Sequence, residues 1–108
     1  MDYHISDRER VRHVAKAALA RQIGILDAAR ALTSLLHKCP QMTSQEDLNF
    51  IIGVDSETDD LPLGRVRELW NAEVLAEKDR EIQRCEQLWG DRFRAVCERI
   101  LLRSQAVP

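Results

Sequence analysis

The side chains best suited to chemistry lie in residues 55–64, which read DSETDDLPLG. Asp55, Glu57 and Asp59 place carboxylates at alternate positions, and Asp60 follows directly. Carboxylates in this pattern can converge on Ca²⁺ or Mg²⁺ when a loop wraps around the ion, and carboxylates also serve as acid and base in hydrolysis. One hypothesis is therefore a divalent-metal-binding or hydrolytic site built from Asp55, Glu57 and Asp59.

The motifs that would support metal binding or catalysis are incomplete. An EF-hand loop beginning at Asp55 would have glycine at its sixth position and glutamate at its twelfth, where this chain has Asp60 and Val66. His37 would be the base of a hydrolytic site, but the chain has no H-E-x-x-H motif, nucleophile elbow or phosphate-binding glycine loop. We therefore predict a non-catalytic protein without a cofactor, with the metal or hydrolytic site as the alternative.

Charge is unevenly distributed along the chain. Residues 41–60 contain six acidic residues and no Lys or Arg, whereas residues 1–40 contain seven basic and four acidic residues, and the net charge is -2. A concentrated patch of one sign favours association with a partner of the opposite sign. We predict an unknown, basic protein partner, although capping and ion pairing within the fold would also account for these residues. The candidate partner-binding residues are Asp55, Glu57, Asp59, Asp60, Arg65 and Arg67.

Helical periodicity predicts the elements that must position these side chains. Ser6, with Glu9 three positions later, is a capping box that predicts a helix starting at Asp7. Gly24 separates two apolar series, and the cost of an interior glycine favours a break there over one kinked helix. Pro40 is expected to end the second helix because it disfavours helical geometry in the preceding residue.

The middle of the chain leads into the acidic segment. Thr43 and Glu46 form a second capping box ahead of a short helix, which includes the apolar run 50–54 because a lone strand would have no partner. We expect residues 55–64 to form an ordered loop, followed by a short helix that carries Trp70.

The last helix is predicted to be the longest. It begins at Asn71, a favourable N-cap residue, and its apolar stripe keeps helical phase across Gly90. The stripe fits one continuous helix or a helix kinked near Gly90, and its length suggests a helix-mediated homodimer.

The composition places these elements in one domain. Hydrophobic residues make up 44% and charged residues 31% of the 108 residues, which is typical of a folded domain without a membrane span. We predict an all-α fold, a single-domain bundle of about five helices over residues 1–108, with loose termini at 1–5 and 104–108. The N-terminus lacks a signal peptide's apolar stretch, and the three cysteines suit reduced core thiols, so a cytoplasmic location is predicted.

Nucleic-acid binding is disfavoured by the charge balance. The first helix is basic, but the chain as a whole is near neutral and has no helix-turn-helix pattern or stacking aromatics beside these residues. The basic side chains in question are Arg8, Arg10, Arg12 and Lys16.

The segment Ser56-Glu57-Thr58-Asp59, with Leu61-Pro62 and Gly64 after it, carries a resemblance. Together with Val66-Arg67 and Trp70, and with Ala29-Arg30 and Leu32 upstream, it resembles small bacterial helical proteins of uncharacterised function. Where their pattern has Ser-Pro after Trp70, this chain has Asn71-Ala72. The resemblance implies a bacterial, cytoplasmic, helical protein and carries over no activity.

Overall fold

The computed structural model describes residues 6–61 and 71–106, and this part of the chain is helical without any strand. The all-α prediction is confirmed here, with four α-helices where about five were expected. The predicted short helix carrying Trp70 lies outside the described residues. The helices are α1 (Asp7–Leu19), α2 (Ile25–Lys38), α3 (Gln45–Glu57) and α4 (Ala72–Ala106), and a 3-10 turn at Pro40–Met42 joins α2 to α3.

The first helix begins and ends through local backbone chemistry. Ser6 Oγ accepts a hydrogen bond from Glu9 N at 3.2 Å, as the capping box predicts. At the other end Arg21 adopts a left-handed conformation with φ 58, and the next N–H, of Gln22, donates to Ala17 O. This is the closing pattern that usually employs glycine. The predicted break between the first two helices is therefore confirmed, but the residue that reverses the chain is Arg21.

The start and end of α3 both differ from the prediction. Thr43 is buried, and the cap is one residue later, where Ser44 Oγ accepts from Asp47 N at 3.1 Å. The predicted Thr43 and Glu46 capping box is wrong because the Thr43 side chain is buried and its Oγ1 donates to Ser44 O at 3.3 Å. The helix also continues through Glu57, so the first three residues of the expected loop are helical.

The last helix is continuous and longer than expected. Asn71 Oδ1 accepts from Glu73 N at 2.8 Å, which confirms the predicted N-cap, and α4 then runs for 35 residues through Gly90. Residues 104–106, where a loose tail was expected to begin, are the last three residues of α4. Ser104 is buried, its Oγ donates to Leu101 O, and its carbonyl accepts from Arg8 of α1.

The hydrophobic core lies where α1, α2 and the second half of α4 meet. Alanines at the contacts of α1 and α2 let the helix backbones approach closely, and Phe93 of α4 is the largest completely buried side chain among the described residues. The buried hydrophobic residues are Val11, Ala15, Ala18, Ile25, Leu26, Ala28, Ala29, Leu32, Leu36, Cys39, Met42, Ile51, Val54, Leu61, Phe93, Val96, Cys97 and Ile100. The second half of the apolar stripe of α4 therefore packs in the hydrophobic core of the chain itself.

The cysteines behave as interior thiols. All three are unpaired by disulfides; Cys39 and Cys97 are buried and Cys85 is half-buried. Burial raises the pKa of Cys97 to about 12 and also raises the pKa of Cys85, so both stay protonated at neutral pH. Within the described ranges, no helix is both long and apolar enough to cross a membrane.

Candidate functional site

The four predicted carboxylates gather at the C-terminal end of α3. Asp55 and Glu57 lie in its last turn, and Asp59 and Asp60 follow the C-cap residue Thr58. We call these four carboxylates the acidic surface. Thr58 closes the helix, since its Oγ1 donates to Val54 O at 2.7 Å and it is almost completely buried. The other two candidates, Arg65 and Arg67, lie outside the described residues.

Two members of the acidic surface are paired within the fold. Arg30 of α2 approaches Asp55 with Nε to Oδ1 at 3.6 Å and donates to the carbonyl of Thr58 at 3.0 Å, which ties α2 to the end of α3. Lys78 of α4 approaches Asp60 with Nζ to Oδ2 at 3.6 Å. Ion pairing within the fold, which is the alternative to partner binding, therefore accounts for Asp55 and Asp60.

The other two members face solvent. Glu57 and Asp59 are exposed and make no ion pair or hydrogen bond with residues of the described part. The last turn of α3 contains no basic residue. A carboxylate near the C-terminus of a helix is repelled by the partial negative charge of the helix dipole, at a cost of about 0.3–1 kcal/mol. These two carboxylates thus work against the stability of α3.

An aromatic groove adjoins Glu57. It has a volume of about 210 Å³ and lies between α3 and α4. A Cβ added at Gly53 would meet no atom within 4 Å, so the groove is open above this glycine. Arg92 is held at its edge, with the guanidinium carbon 4.2 Å from the centre of the Phe50 ring. The lining residues are Phe50, Gly53, Val54, Glu57, Trp89 and Arg92.

The carboxylates of the metal or hydrolytic alternative share one end of α3 but do not form a metal-binding group within the described residues. In residues 6–61 and 71–106, no three His, Cys, Asp or Glu side chains form a group that could hold a metal ion. His37 lies two turns along α2 from Arg30, the residue that contacts Asp55, which is roughly 10 Å of helix. The carboxylates and the candidate base are thus on separate parts of the molecule.

An ion pair at the N-terminal end of α3 was not predicted from the sequence. Arg99 of α4 donates to both carboxylate oxygens of Asp47, from Nε at 2.8 Å and from a terminal nitrogen at 2.9 Å. These hydrogen bonds hold the pKa of Asp47 below its usual value, with partial burial acting in the opposite direction. The only available signal was an acid in the first turn of α3, because its partner lies far along the chain.

Replacing Asp47 with asparagine is expected to change the response of the fold to acid. Because the folded-state pKa of Asp47 is depressed, its contribution is present above the ordinary carboxyl pKa near 4 and is lost as the pH falls through the folded-state value. Urea unfolding at pH 7 should show the variant destabilised by up to about 1 kcal/mol, and the difference should shrink toward pH 2. A constant difference at all pH values would contradict the role assigned to Asp47. As a control, replacing the exposed Glu77 with glutamine should leave the free energy of unfolding at pH 7 unchanged.

Comparison of the chain with models of protein families, with curated proteins and with solved structures finds no significant match.

Proposed function

We propose that this protein is a non-catalytic protein-interaction module, of the adaptor or immunity type, that presents its acidic surface to a basic protein partner. The observation that carries this proposal is the position of Glu57 and Asp59, which are exposed at the helix end where carboxylates are unfavourable. The bacterial and cytoplasmic setting implied by the resemblance belongs to the same proposal.

Surface charges that destabilise the free protein are a useful indicator of a binding site. Side chains that only stabilise a fold are placed where their interactions are favourable, whereas charges kept for a partner become favourable only in the complex. Arg30 and Lys78 pair with Asp55 and Asp60, and among the described residues this leaves Glu57 and Asp59 as the members of the acidic surface without an ion pair. A lysine or arginine of the partner would relieve this repulsion.

The groove beside Glu57 supplies the apolar half of such a surface. Protein interfaces derive most of their affinity from a few central aromatic and arginine residues surrounded by polar groups. Phe50, Trp89 and Arg92 provide these residue types at one edge of the acidic surface, with Glu57 common to both. The partner is therefore expected to insert an apolar side chain into the groove and to place a basic side chain against Glu57.

Copurification tests the proposal. Tagged protein isolated from the cells that produce it should retain one stoichiometric basic partner, and the variant Glu57→Gln with Asp59→Asn should lose it. Raising the salt concentration from about 0.1 M to about 1 M should also release the partner, since the Debye length falls from about 10 Å to about 3 Å. The control Glu46→Gln with Glu77→Gln changes the net charge equally at exposed positions elsewhere and should retain the partner.

Two outcomes would contradict the proposal. One is recovery of no stoichiometric partner, and the other is a partner held equally by both double variants. A melting temperature raised by Ca²⁺, Mg²⁺ or Mn²⁺ in the wild type but not in the Glu57→Gln, Asp59→Asn variant would favour metal binding instead.

A further inference from the structure

The side of α4 that faces away from the core carries an apolar row. Leu88 and Leu102 are 72% and 66% exposed, the highest values among the large hydrophobic side chains of the described residues. Ala95 lies midway between them. Residues seven apart on a helix differ by only about 20° in direction, so Leu88, Ala95 and Leu102 form one straight line along the surface. We call this line the outer seam of α4.

The outer seam is flanked by charges of opposite sign. At 100° per residue, Asp91 and Glu98 lie along one edge of the seam, whereas Arg92 and Arg99 lie along the other. The residues of each edge therefore have one sign over two successive turns, although Arg94, outside the acidic edge, also pairs with Asp91 at 3.3 Å.

The two arginines are held in place by α3. The guanidinium of Arg92 rests over the Phe50 ring, and Arg99 is fixed by its two hydrogen bonds to Asp47. The Arg99 side chain is still 54% exposed, and a guanidinium has five N–H donors, so it can donate hydrogen bonds to a second carboxylate. Because these side chains are already ordered, little conformational entropy would be lost when they bind.

We propose that a second copy of this chain packs on the outer seam, with the two α4 helices parallel and related by a two-fold axis along them. In a parallel pair, opposite edges of the two helices meet, so Asp91 and Glu98 of each copy face the arginine edge of the other. In an antiparallel pair, like edges meet, which would place Asp91 opposite Glu98 and Arg92 opposite Arg99. Like charges directly opposed are unfavourable, so the charge pattern selects the parallel arrangement.

The expected dimer is weak. Each copy contributes two leucines and an alanine to the seam, which is less apolar surface than a permanent dimer buries. Ala95 at the centre permits close approach of the helices. Association should accordingly depend on protein concentration, with a dissociation constant in the micromolar to millimolar range, on the order of 10⁻⁵–10⁻³ M.

Sedimentation velocity of the purified full chain tests this proposal. Between about 10⁻⁵ M and about 10⁻³ M, the wild type should shift from monomer toward dimer, and Leu88→Glu with Leu102→Glu should weaken the dimer at least about 10-fold. The control Gln83→Glu with Gln87→Glu adds the same charge at exposed positions of α4 away from the seam and should dimerise as the wild type does. Monomer at every concentration, or dimerisation unaffected by the seam variant, would overturn the proposal.

Cysteine crosslinking tests the orientation. In a parallel dimer Leu102 lies beside Leu102 of the second copy, so Leu102→Cys should form a disulfide joining these two positions, identified by peptide mapping. In an antiparallel dimer Leu102 would lie beside Leu88. A disulfide between positions 102 and 88 in a mixture of Leu88→Cys and Leu102→Cys would therefore overturn the parallel arrangement.

Discussion

Replacing Phe93 with alanine is expected to destabilise the fold by about 3–5 kcal/mol. Phe93 is completely buried in the core, and its ring centre lies 6.4 Å from that of Phe50 in a tilted arrangement. Its removal would leave a cavity between α4 and the other helices and would remove the ring that packs against Phe50, a residue of the aromatic groove. Since small domains are stable by only about 5–15 kcal/mol, the melting temperature should fall by at least about 12 °C.

Urea unfolding followed by circular dichroism measures this effect. Leu88→Ala is a matched control on the same helix, and because Leu88 is exposed it should change the unfolding free energy by less than about 0.5 kcal/mol. A loss below about 1 kcal/mol for Phe93→Ala would mean that the described core is not the centre of the fold.

Replacing Glu86 with alanine is expected to destabilise the fold by about 1–2 kcal/mol. The first turn of α2 has no capping side chain of its own, since its N-cap residue is Gly24. Glu86 of α4 supplies the missing acceptor, and its Oε1 accepts a hydrogen bond from Ile25 N at 2.7 Å. The bond also joins the start of α2 to the middle of α4, so its loss should weaken the packing of these two helices against each other.

Gly24→Ala provides an independent test of the same contact. A Cβ at Gly24 would lie 2.8 Å from Glu86 Oε1, so the alanine must push the carboxylate away from Ile25. We expect Gly24→Ala to cost about 1 kcal/mol in the wild type and much less when Glu86 is already alanine. Strictly additive effects in this double-mutant cycle would show that the two residues do not interact.

The parts of the fold that were predicted correctly depend on interactions close in sequence. Ser6 with Glu9, and Asn71 with Glu73, are local caps, and both helices begin where their caps predict. The ends that were predicted wrongly depend on other elements. Ser44 caps α3 in place of Thr43, whose side chain is buried against the rest of the fold.

Tertiary contacts also explain the role of Gly24. Its φ of -72 is available to any residue, so glycine is needed there for the close approach of Glu86 and not for a turn. The left-handed residue of that connection is Arg21, and no propensity would select an arginine for it. The sequence therefore located the break correctly but could not assign the role of either residue.

The candidate site was predicted as a set of residues but not as an arrangement. Counting charges identified the four carboxylates of the acidic surface as candidates but did not distinguish Glu57 and Asp59 from the other two. Deciding which acids are paired required Arg30 and Lys78, which approach from α2 and α4 and are far from the acidic surface along the chain. Periodicity did not show that α3 extends through Glu57, and this extension places the carboxylates at the unfavourable end of a helix.

Site-specific photo-crosslinking in living cells tests the central claim most directly. A photoreactive residue at Ser56, which is exposed between Asp55 and Glu57, keeps every carboxylate of the acidic surface intact. We predict one crosslinked protein from position 56 and none from the exposed control position Gln22 on the connection between α1 and α2. No crosslinked protein from position 56, or the same products from both positions, would contradict the assignment of the acidic surface as a partner-binding site.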